Sequence, residues 1–226
     1  MTSNDIFQSI QEWCAQHANP TAASAMKAYM KNHFDFYCIN APSRKVFVSK
    51  LKKEWGKSII PSLPELSIWL WQDDHRECQY IALDLWAAYI KHYGPDMLPT
   101  LETMVLTKSW WDTVDGIAPA LVGNILKRYP ETRNAYIYKW AESSNLWLQR
   151  SAIIFQLKYG KDTDWDLLCE TILLHDQSKE FFVRKAQGWA LRQYSRYAPE
   201  KVHQFIDANP QLSGLTKKEA LKLISK

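Results

Sequence analysis

Glycine is scarce in this chain, occurring 7 times among 226 residues. An average usage of about 7% would give roughly twice that number. No segment shows the sustained alternation of apolar and polar residues that is typical of a half-buried strand. Few glycines and long uninterrupted helical patterns together predict an all-α chain.

Patterns typical of metal sites, secretion and membrane insertion are also missing. The four cysteines (Cys14, Cys38, Cys78, Cys169) lie far apart without CxxC spacing, and the 6 histidines form no HExxH motif. We therefore expect free thiols, no metal and no cofactor. The first residues lack the basic start and apolar core of a signal peptide, and no apolar run approaches the ~20 residues that span a bilayer. These absences predict a cytoplasmic protein that does not bind a membrane.

Tryptophan and local positive charge are what the sequence has in excess. There are 11 tryptophans, more than a core of this size needs. The net charge of +4 is mildly basic, but residues 27–57 contain eight lysines and arginines against two acids, a local charge of +6. Such a segment is either a solvated helix face or a patch that faces phosphates, and composition leaves both readings open.

Apolar residues recur with helical spacing along the whole chain, and the segments are separated by short turn signals such as Asn19-Pro20, Gly94-Pro95 and Asn209-Pro210. The pattern predicts helices over residues 3–18, 21–32, 43–55, 62–72, 76–93, 96–107, 109–128, 131–143, 145–159, 163–175, 179–197, 199–208 and 216–225.

The helices form a repeat. Ala82, Ile117, Ala152 and Ala186 each lie in the middle of an apolar helix, at intervals of 35, 35 and 34 residues. This period indicates stacked helix pairs, because one pair cannot bury its apolar face alone. We predict an α-solenoid superhelix of HEAT-like antiparallel pairs with a concave face, built as one domain over residues 1–226.

Polar residues precede these small residues by two positions: Tyr80, Asp115, Arg150 and Arg184. Equivalent positions of successive repeats occupy equivalent places in a solenoid, so we interpret the four as surface residues of a groove. An ion pair between neighbouring repeats, Asp115 with Arg150, is the structural alternative.

The most specific pattern is carried by four stretches: AYMKNHFDFYCINAPSRKVF from Ala28, SWWDTVD from Ser109, WLQRSAI from Trp147 and FFVRKAQGWAL from Phe181. In this order, over residues 25–198, they resemble the AlkD-type family of DNA alkylation-repair glycosylases. The resemblance implies hydrolysis of the N-glycosidic bond of positively charged alkylpurines, such as 3-methyladenine and 7-methylguanine, in base excision repair of duplex DNA. It also implies that the base is not flipped out of the stack, as most glycosylases require.

The resemblance places the active cleft at Trp111, Asp115, Arg150 and Trp189. The residue types suit the chemistry: a cationic base leaves without a general acid, and a carboxylate stabilises the oxocarbenium-like sugar that remains. Asp115 is the candidate for that role and for orienting water. Trp111 and Trp189 would hold the cationic nucleotide by their ring faces, and Arg150 would clamp a phosphate.

Further residues are candidates for DNA contact. Tyr29 and Asn40 match family positions near the lesion, where the family often has glutamine in place of Asn40 and glycine in place of Cys38. Basic residues would contact the backbone in two tracks: Arg44 and Lys45 in the N-terminal cluster, and Lys158, Arg184, Lys185 and Arg192 in the C-terminal half.

The sequence keeps several alternatives open. Trp189 is otherwise a core residue, Trp110 is assigned to packing because it points roughly 100° away from Trp111 on a helix, and Phe181 and Phe182 fit either DNA contact or the core. A non-enzymatic scaffold that binds DNA or protein is the rival function, although an acid in a phosphate-binding groove favours chemistry. The enzyme is predicted to be a monomer with double-stranded DNA as its partner.

Overall fold

A computed structural model of the chain describes residues 2–224, and it is all-α: within that range no strand is present, and one isolated bridge joins Asp35 and His75. The predicted fold class is confirmed. The chain divides between Tyr93 and Gly94 into two compact units. The single domain over residues 1–226 stays a prediction, and its residues 1, 225 and 226 lie outside the described range, as does residue 225 of the predicted helix 216–225.

From residue 2 onward, the first unit contains five α-helices: α1 Ser3–Gln16, α2 Pro20–Tyr29, α3 Ala41–Trp55, α4 Leu63–Gln72 and α5 Arg76–Tyr89. Helices α4 and α5 pack against each other, α1 lies on α4, and α3 lies on α5. The fully buried Trp86 ring donates its Nε1–H to the Ser67 hydroxyl at 2.7 Å. This bond satisfies the polar atom of a large core side chain, which otherwise would be costly to bury.

The second unit contains nine α-helices within its described residues: α6 Leu98–Leu106, α7 Trp111–Ile117, α8 Gly123–Arg128, α9 Pro130–Ala141, α10 Leu146–Ile154, α11 Trp165–Leu173, α12 Phe181–Tyr194, α13 Pro199–Ala208 and α14 Gly214–Ala220. Helix α10 packs against α9 and α12, and α12 packs against α14. Neighbouring pairs therefore share a core, as stacked repeats require.

The burial of the aligned residues agrees with the predicted repeat register. Ala82, Ile117, Ala152 and Ala186, which align in the sequence, are all completely buried. Ala152 and Ala186 lie on α10 and α12, whose packing brings successive repeats together. A small side chain at this position allows neighbouring helices to approach closely, which explains why the period appears in the sequence.

The predicted helix 109–128 is present but is interrupted. Its first part, α7, continues into a π-helical turn at Ala118–Val122, and α8 follows directly. Pro119 causes the interruption, because proline has no N–H to donate to the carbonyl of Asp115 four residues earlier. The wider turn is closed by the Gly123 N–H, which donates to the Ala118 carbonyl. Such π-turns occur frequently at functional sites.

Helix α10 ends at Ile154, earlier than the predicted helix 145–159. Tertiary contacts explain the difference. The backbone of Gly123 lies so close to the Phe155 carbonyl that a Cβ there would be 2.2 Å from its oxygen. The Tyr159 hydroxyl donates to the Gly123 carbonyl at 2.8 Å. These contacts hold residues 155–159 as turns, and a local helical pattern does not reveal them.

Helices α12 and α14 approach each other closely at Gly188. A Cβ on Gly188 would lie 2.4 Å from the Glu219 Cβ and 2.7 Å from the Thr216 carbonyl oxygen. We therefore expect Gly188→Ala to reduce the free energy of unfolding by about 1–3 kcal/mol, the usual cost of overpacking. Urea denaturation measures it. The matched control is Gly214→Ala, where nothing lies within 4 Å of the added methyl group; an equal loss in both variants would contradict the close approach.

None of the helices within residues 2–224 combines the length and the apolar character that crossing a bilayer requires.

Candidate active site

Helix α7 carries two of the predicted catalytic residues, Trp111 and Asp115. Trp110 is the N-cap with an extended backbone, so the helix begins at Trp111 and places Asp115 one turn further on the same side. Trp111 and Asp115 are both half-buried. The four predicted catalytic residues, Trp111, Asp115, Arg150 and Trp189, all belong to the second unit.

Asp115 and Arg150 form a bidentate ion pair. The Arg150 Nε–H donates to Asp115 Oδ1 at 2.8 Å, and Nη2–H donates to Oδ2 at 2.8 Å. A third bond runs from Arg150 Nη1–H to the Phe182 carbonyl oxygen at 2.6 Å. One guanidinium on α10 thus connects α7 with the beginning of α12. This is the strong, planar geometry that arginine favours with a carboxylate.

This arrangement corrects the prediction for Arg150. Arg150 is only 3% exposed, so it is not a surface residue of a groove, and the ion pair between repeats is the alternative that the structure shows. Its guanidinium is held by Asp115 and Phe182, which is not the arrangement of an open phosphate clamp. Burial requires the pairing, because an isolated charge is rarely found inside a protein.

Asp115 remains accessible although its partner is buried: its side chain is 20% exposed, against 4% for that of Arg150. Each carboxylate oxygen accepts one bond from Arg150 and has a second lone pair. Burial raises the pKa of the Asp115 carboxyl, an effect that the hydrogen bonds and charge of Arg150 oppose. The nearby charge of Asp112 adds to the rise.

Aromatic rings surround the guanidinium. The Arg150 Cζ lies 5.9 Å from the centre of the Trp189 ring and 6.0 Å from that of Phe182. Trp189 is half-buried and also packs against the core of the second unit. It therefore combines the two readings that the sequence left open, a core contact and a position beside the candidate site.

The structure separates the remaining aromatic residues of this region. Trp110 packs edge-to-face on Trp147 and Phe182, at ring distances of 5.7 and 5.2 Å. Its assignment to packing is confirmed. Phe182 belongs to this aromatic cluster, whereas Phe181 is 57% exposed and contacts Phe182 edge-to-face. The two phenylalanines thus have different surroundings.

The predicted C-terminal basic track is largely occupied by intramolecular contacts. Lys158 is exposed, while the half-buried Arg184 donates its Nε–H to the Ser178 carbonyl at 2.5 Å. Lys185 and Arg192 both bind the buried carboxylate of Glu219, at 2.6 and 2.7 Å. Two of the four predicted cations therefore share one acid, which the sequence analysis did not anticipate.

The other predicted DNA contacts lie in the first unit. Tyr29 is 66% exposed and Lys45 is exposed. The exposed Asn40 is the N-cap of α3, where its Oδ1 accepts the Ser43 N–H at 2.9 Å. Arg44 is half-buried, with its guanidinium 4.6 Å from the Tyr80 ring centre. Asn40 and Arg44 thus have structural contacts in addition to any contact with DNA.

The loop before Asn40 explains the glycine that the family often has at Cys38. Cys38 has a φ of 65°, in the left-handed region that favours glycine. The backbone N–H groups of Tyr37, Cys38 and Ile39 all donate to the buried Glu77 carboxylate, at 3.0, 2.7 and 3.2 Å. These three bonds hold the loop in place despite the strained backbone.

Two groups that bind predicted site residues were not predicted from the sequence. The Phe182 carbonyl is a backbone group, and no residue pattern identifies it. Glu219 lies in the lysine-rich stretch TKKEALK, and a lone acid among lysines was the available signal. Within the described chain, no group of three or more histidine, cysteine or acidic side chains is placed to hold a metal ion.

Comparisons with known proteins agree on one family. A family model described as "DNA alkylation repair enzyme" matches residues 10–224. A structure described as a predicted DNA alkylation repair enzyme from Enterococcus faecalis is 31% identical, covers 93% of this chain and 98% of its own, and has a TM-score of 0.83. No curated protein matches the chain.

Two further structures share the fold. AlkD2 from Streptococcus mutans is 21% identical over 89% of this chain and 100% of its own, with a TM-score of 0.63. The protein smu.31 from Streptococcus mutans UA159 is 20% identical over 80% and 98%, with a TM-score of 0.57.

Proposed function

Because the chain belongs to the DNA alkylation repair enzyme family, we propose that it is a DNA glycosylase that hydrolyses the N-glycosidic bond of cationic alkylpurines in duplex DNA without flipping the base. The observation that carries the proposal is a half-buried carboxylate, Asp115, held by both oxygens and still accessible.

Hydrolysis of this N-glycosidic bond needs little from the protein besides a fixed negative charge. N-alkylation gives the base a positive charge and makes it a good leaving group, so the bond breaks without a general acid. The sugar becomes cationic as the bond breaks, and a fixed negative charge beside it lowers the barrier. Asp115 supplies that charge, and the free lone pairs of its oxygens would orient the water that attacks C1′.

Arg150 has a different role in this proposal from the phosphate clamp that the sequence suggested. Its three hydrogen bonds to Asp115 and Phe182 fix the carboxylate before the substrate arrives. A preorganised charge stabilises a transition state more than a mobile one, because no reorganisation is needed during the reaction. The positive charge of Arg150 also opposes the effect of burial on the pKa of Asp115.

Trp189 and Trp111 complete the proposed site. Trp189 is held by the core on one side and lies beside Arg150 on the other, while Trp111 is one turn before Asp115. An indole face attracts a cation within about 6 Å by roughly 0.5–2 kcal/mol. The two rings would bind the cationic nucleotide through its sugar.

The rival function is a scaffold that binds DNA without reaction. The ion pair is compatible with it, because Arg150 connects α7, α10 and α12 whether or not chemistry follows. Base release separates the two functions.

We expect the protein to release 7-methylguanine and 3-methyladenine from a methylated duplex and to leave the unmodified bases in place. Released bases are separated by chromatography after incubation without metal. The control is an unmethylated duplex of the same sequence. Binding of the methylated duplex without release of either base would instead support the scaffold.

A further inference from the structure

Helices α12 and α14, with the 3-10 turn Leu221–Leu223 that follows α14, carry a group of charged side chains that we call the Glu219 cluster: Lys185, Arg192, Lys222 and Glu219. Lys185 Nζ lies 2.6 Å from Glu219 Oε1, and Arg192 Nη1 lies 2.7 Å from Oε2. Lys222 Nζ binds Oε1 as well. One carboxylate thus binds three cations from different parts of the sequence. The cluster has a net charge of +2, with three positive groups and one negative group.

Burial distinguishes the acid from its partners. The side chain of Glu219 is 4% exposed, whereas those of the three cations are between 26% and 45% exposed. Burial acts to raise the pKa of Glu219, but the hydrogen bonds and charges of Lys185 and Lys222 outweigh it and lower the pKa to about 2. The acid is therefore the fixed anionic centre, and the solvent-facing part of the cluster is cationic.

The cluster borders the candidate active site. Lys185, Trp189 and Arg192 are spaced i, i+4 and i+7 on α12, so they share one face of the helix. The Trp189 ring lies 5.9 Å from the guanidinium of Arg150. Gly188 allows α14 to approach, which brings Glu219 to the two cations. A phosphate bound at the cluster would thus belong to DNA that lies along the face of α12 that carries Trp189.

We propose that the Glu219 cluster binds a phosphodiester group of the DNA strand beside the Asp115 site, and that Glu219 is the positioning residue that holds the three cations together for it. The inference rests on the proposed function. A lysine has three N–H donors and an arginine five, so each cation retains donors after it has bound Glu219. Convergence before binding also reduces the side-chain entropy that a phosphate contact would otherwise cost.

Lys222 provides the first test, because its exposed side chain can be removed without disturbing the core. The association constant for a fluorescently labelled undamaged duplex falls as the salt concentration rises. We expect Lys222→Ala to make the slope of log association constant against log salt concentration less steep by about 1, as loss of one phosphate contact does. The matched control is Lys218→Ala, an exposed lysine of α14 four residues earlier, which removes the same charge and should leave the slope unchanged. Equal slopes for the two variants would overturn the phosphate site.

Glu219→Gln tests the positioning role. The substitution makes the protein more positive, so a purely electrostatic role for Glu219 predicts a steeper salt dependence. We expect the opposite, a slope smaller by about 1, because the three cations repel one another and no longer converge on one phosphate. A steeper or unchanged slope for a variant with the wild-type circular dichroism spectrum would overturn the positioning role, and the Lys222 result still decides the site.

Base release and the salt dependence of DNA binding, measured together, show which of the two proposals has failed. If the wild type releases 7-methylguanine but the slopes of Lys222→Ala and Lys218→Ala agree, the phosphate site is wrong and the glycosylase remains. If the slopes differ as expected and no base is released, the cluster binds DNA and the glycosylase is wrong.

Discussion

Asp115→Asn is expected to lower the single-turnover rate of 7-methylguanine release by about 10²–10³-fold, the usual effect of removing one well-placed electrostatic group. The amide keeps the shape of the carboxylate but has no charge to stabilise the sugar cation. It also presents an NH₂ group to a guanidinium that can only donate, so one of the two bonds to Arg150 is lost. The measurement is base release at saturating protein, which separates the chemical step from DNA binding.

Asp112→Asn is the matched control, because it removes the same charge one turn earlier on α7. Its rate near neutral pH should stay within a few-fold of the wild type, by contrast with Asp115→Asn. Equal losses in the two variants would show that the rate responds to local charge in general and would remove Asp115 from the mechanism. Binding of undamaged duplex should be retained in both variants.

The pH dependence follows from the pKa of Asp115. Burial raises this pKa, and the reaction needs the ionised carboxyl, so base release should decline on acidification at a higher pH than an ordinary aspartate would cause. Because the charge of Asp112 contributes to the rise, Asp112→Asn should move the decline to lower pH. An acidic limb in the same place for both proteins would contradict this assignment.

The sequence predicted the helices and the repeat well because both depend on local and periodic information. Ala82, Ile117, Ala152 and Ala186 follow from the period, and their complete burial agrees with it. The early end of α10 did not follow, since the contact between Gly123 and the Phe155 carbonyl joins residues that are distant along the chain. Helical periodicity has no information about such approaches.

The candidate site was predicted in part for the same reason. The spacing of Trp111 and Asp115 is a property of one helix, and the aligned repeats suggested the pairing of Asp115 with Arg150 as an alternative. Whether Arg150 points to solvent or inward depends on its bond to the Phe182 carbonyl, a backbone atom that every sequence has. The binding of Lys185 and Arg192 by Glu219 depends on how α14 packs against α12. The sequence around these residues does not reveal that packing.

Arg150→Ala is expected to reduce the free energy of unfolding by about 3–5 kcal/mol, because it leaves the half-buried Asp115 carboxylate without its partner. In a double-mutant cycle with Asp115→Ala, the double variant should lose less than the sum of the two single losses, since each single change also strands the other group. Urea denaturation at neutral pH measures the cycle. Lys127→Ala is the control: its exposed pair with Asp162 should contribute only about 0–1 kcal/mol.

The pH dependence of the same variant tests the cause of its instability. Without the positive charge of Arg150, nothing opposes the effect of burial, so the pKa of Asp115 should rise further above its usual value. A raised folded-state pKa favours the protonated form in the native protein, so the penalty in Arg150→Ala should shrink as the pH falls through that pKa. If Arg150 stabilises the fold only by filling space between α7, α10 and α12, its loss should be the same at every pH, and the double variant should lose the full sum.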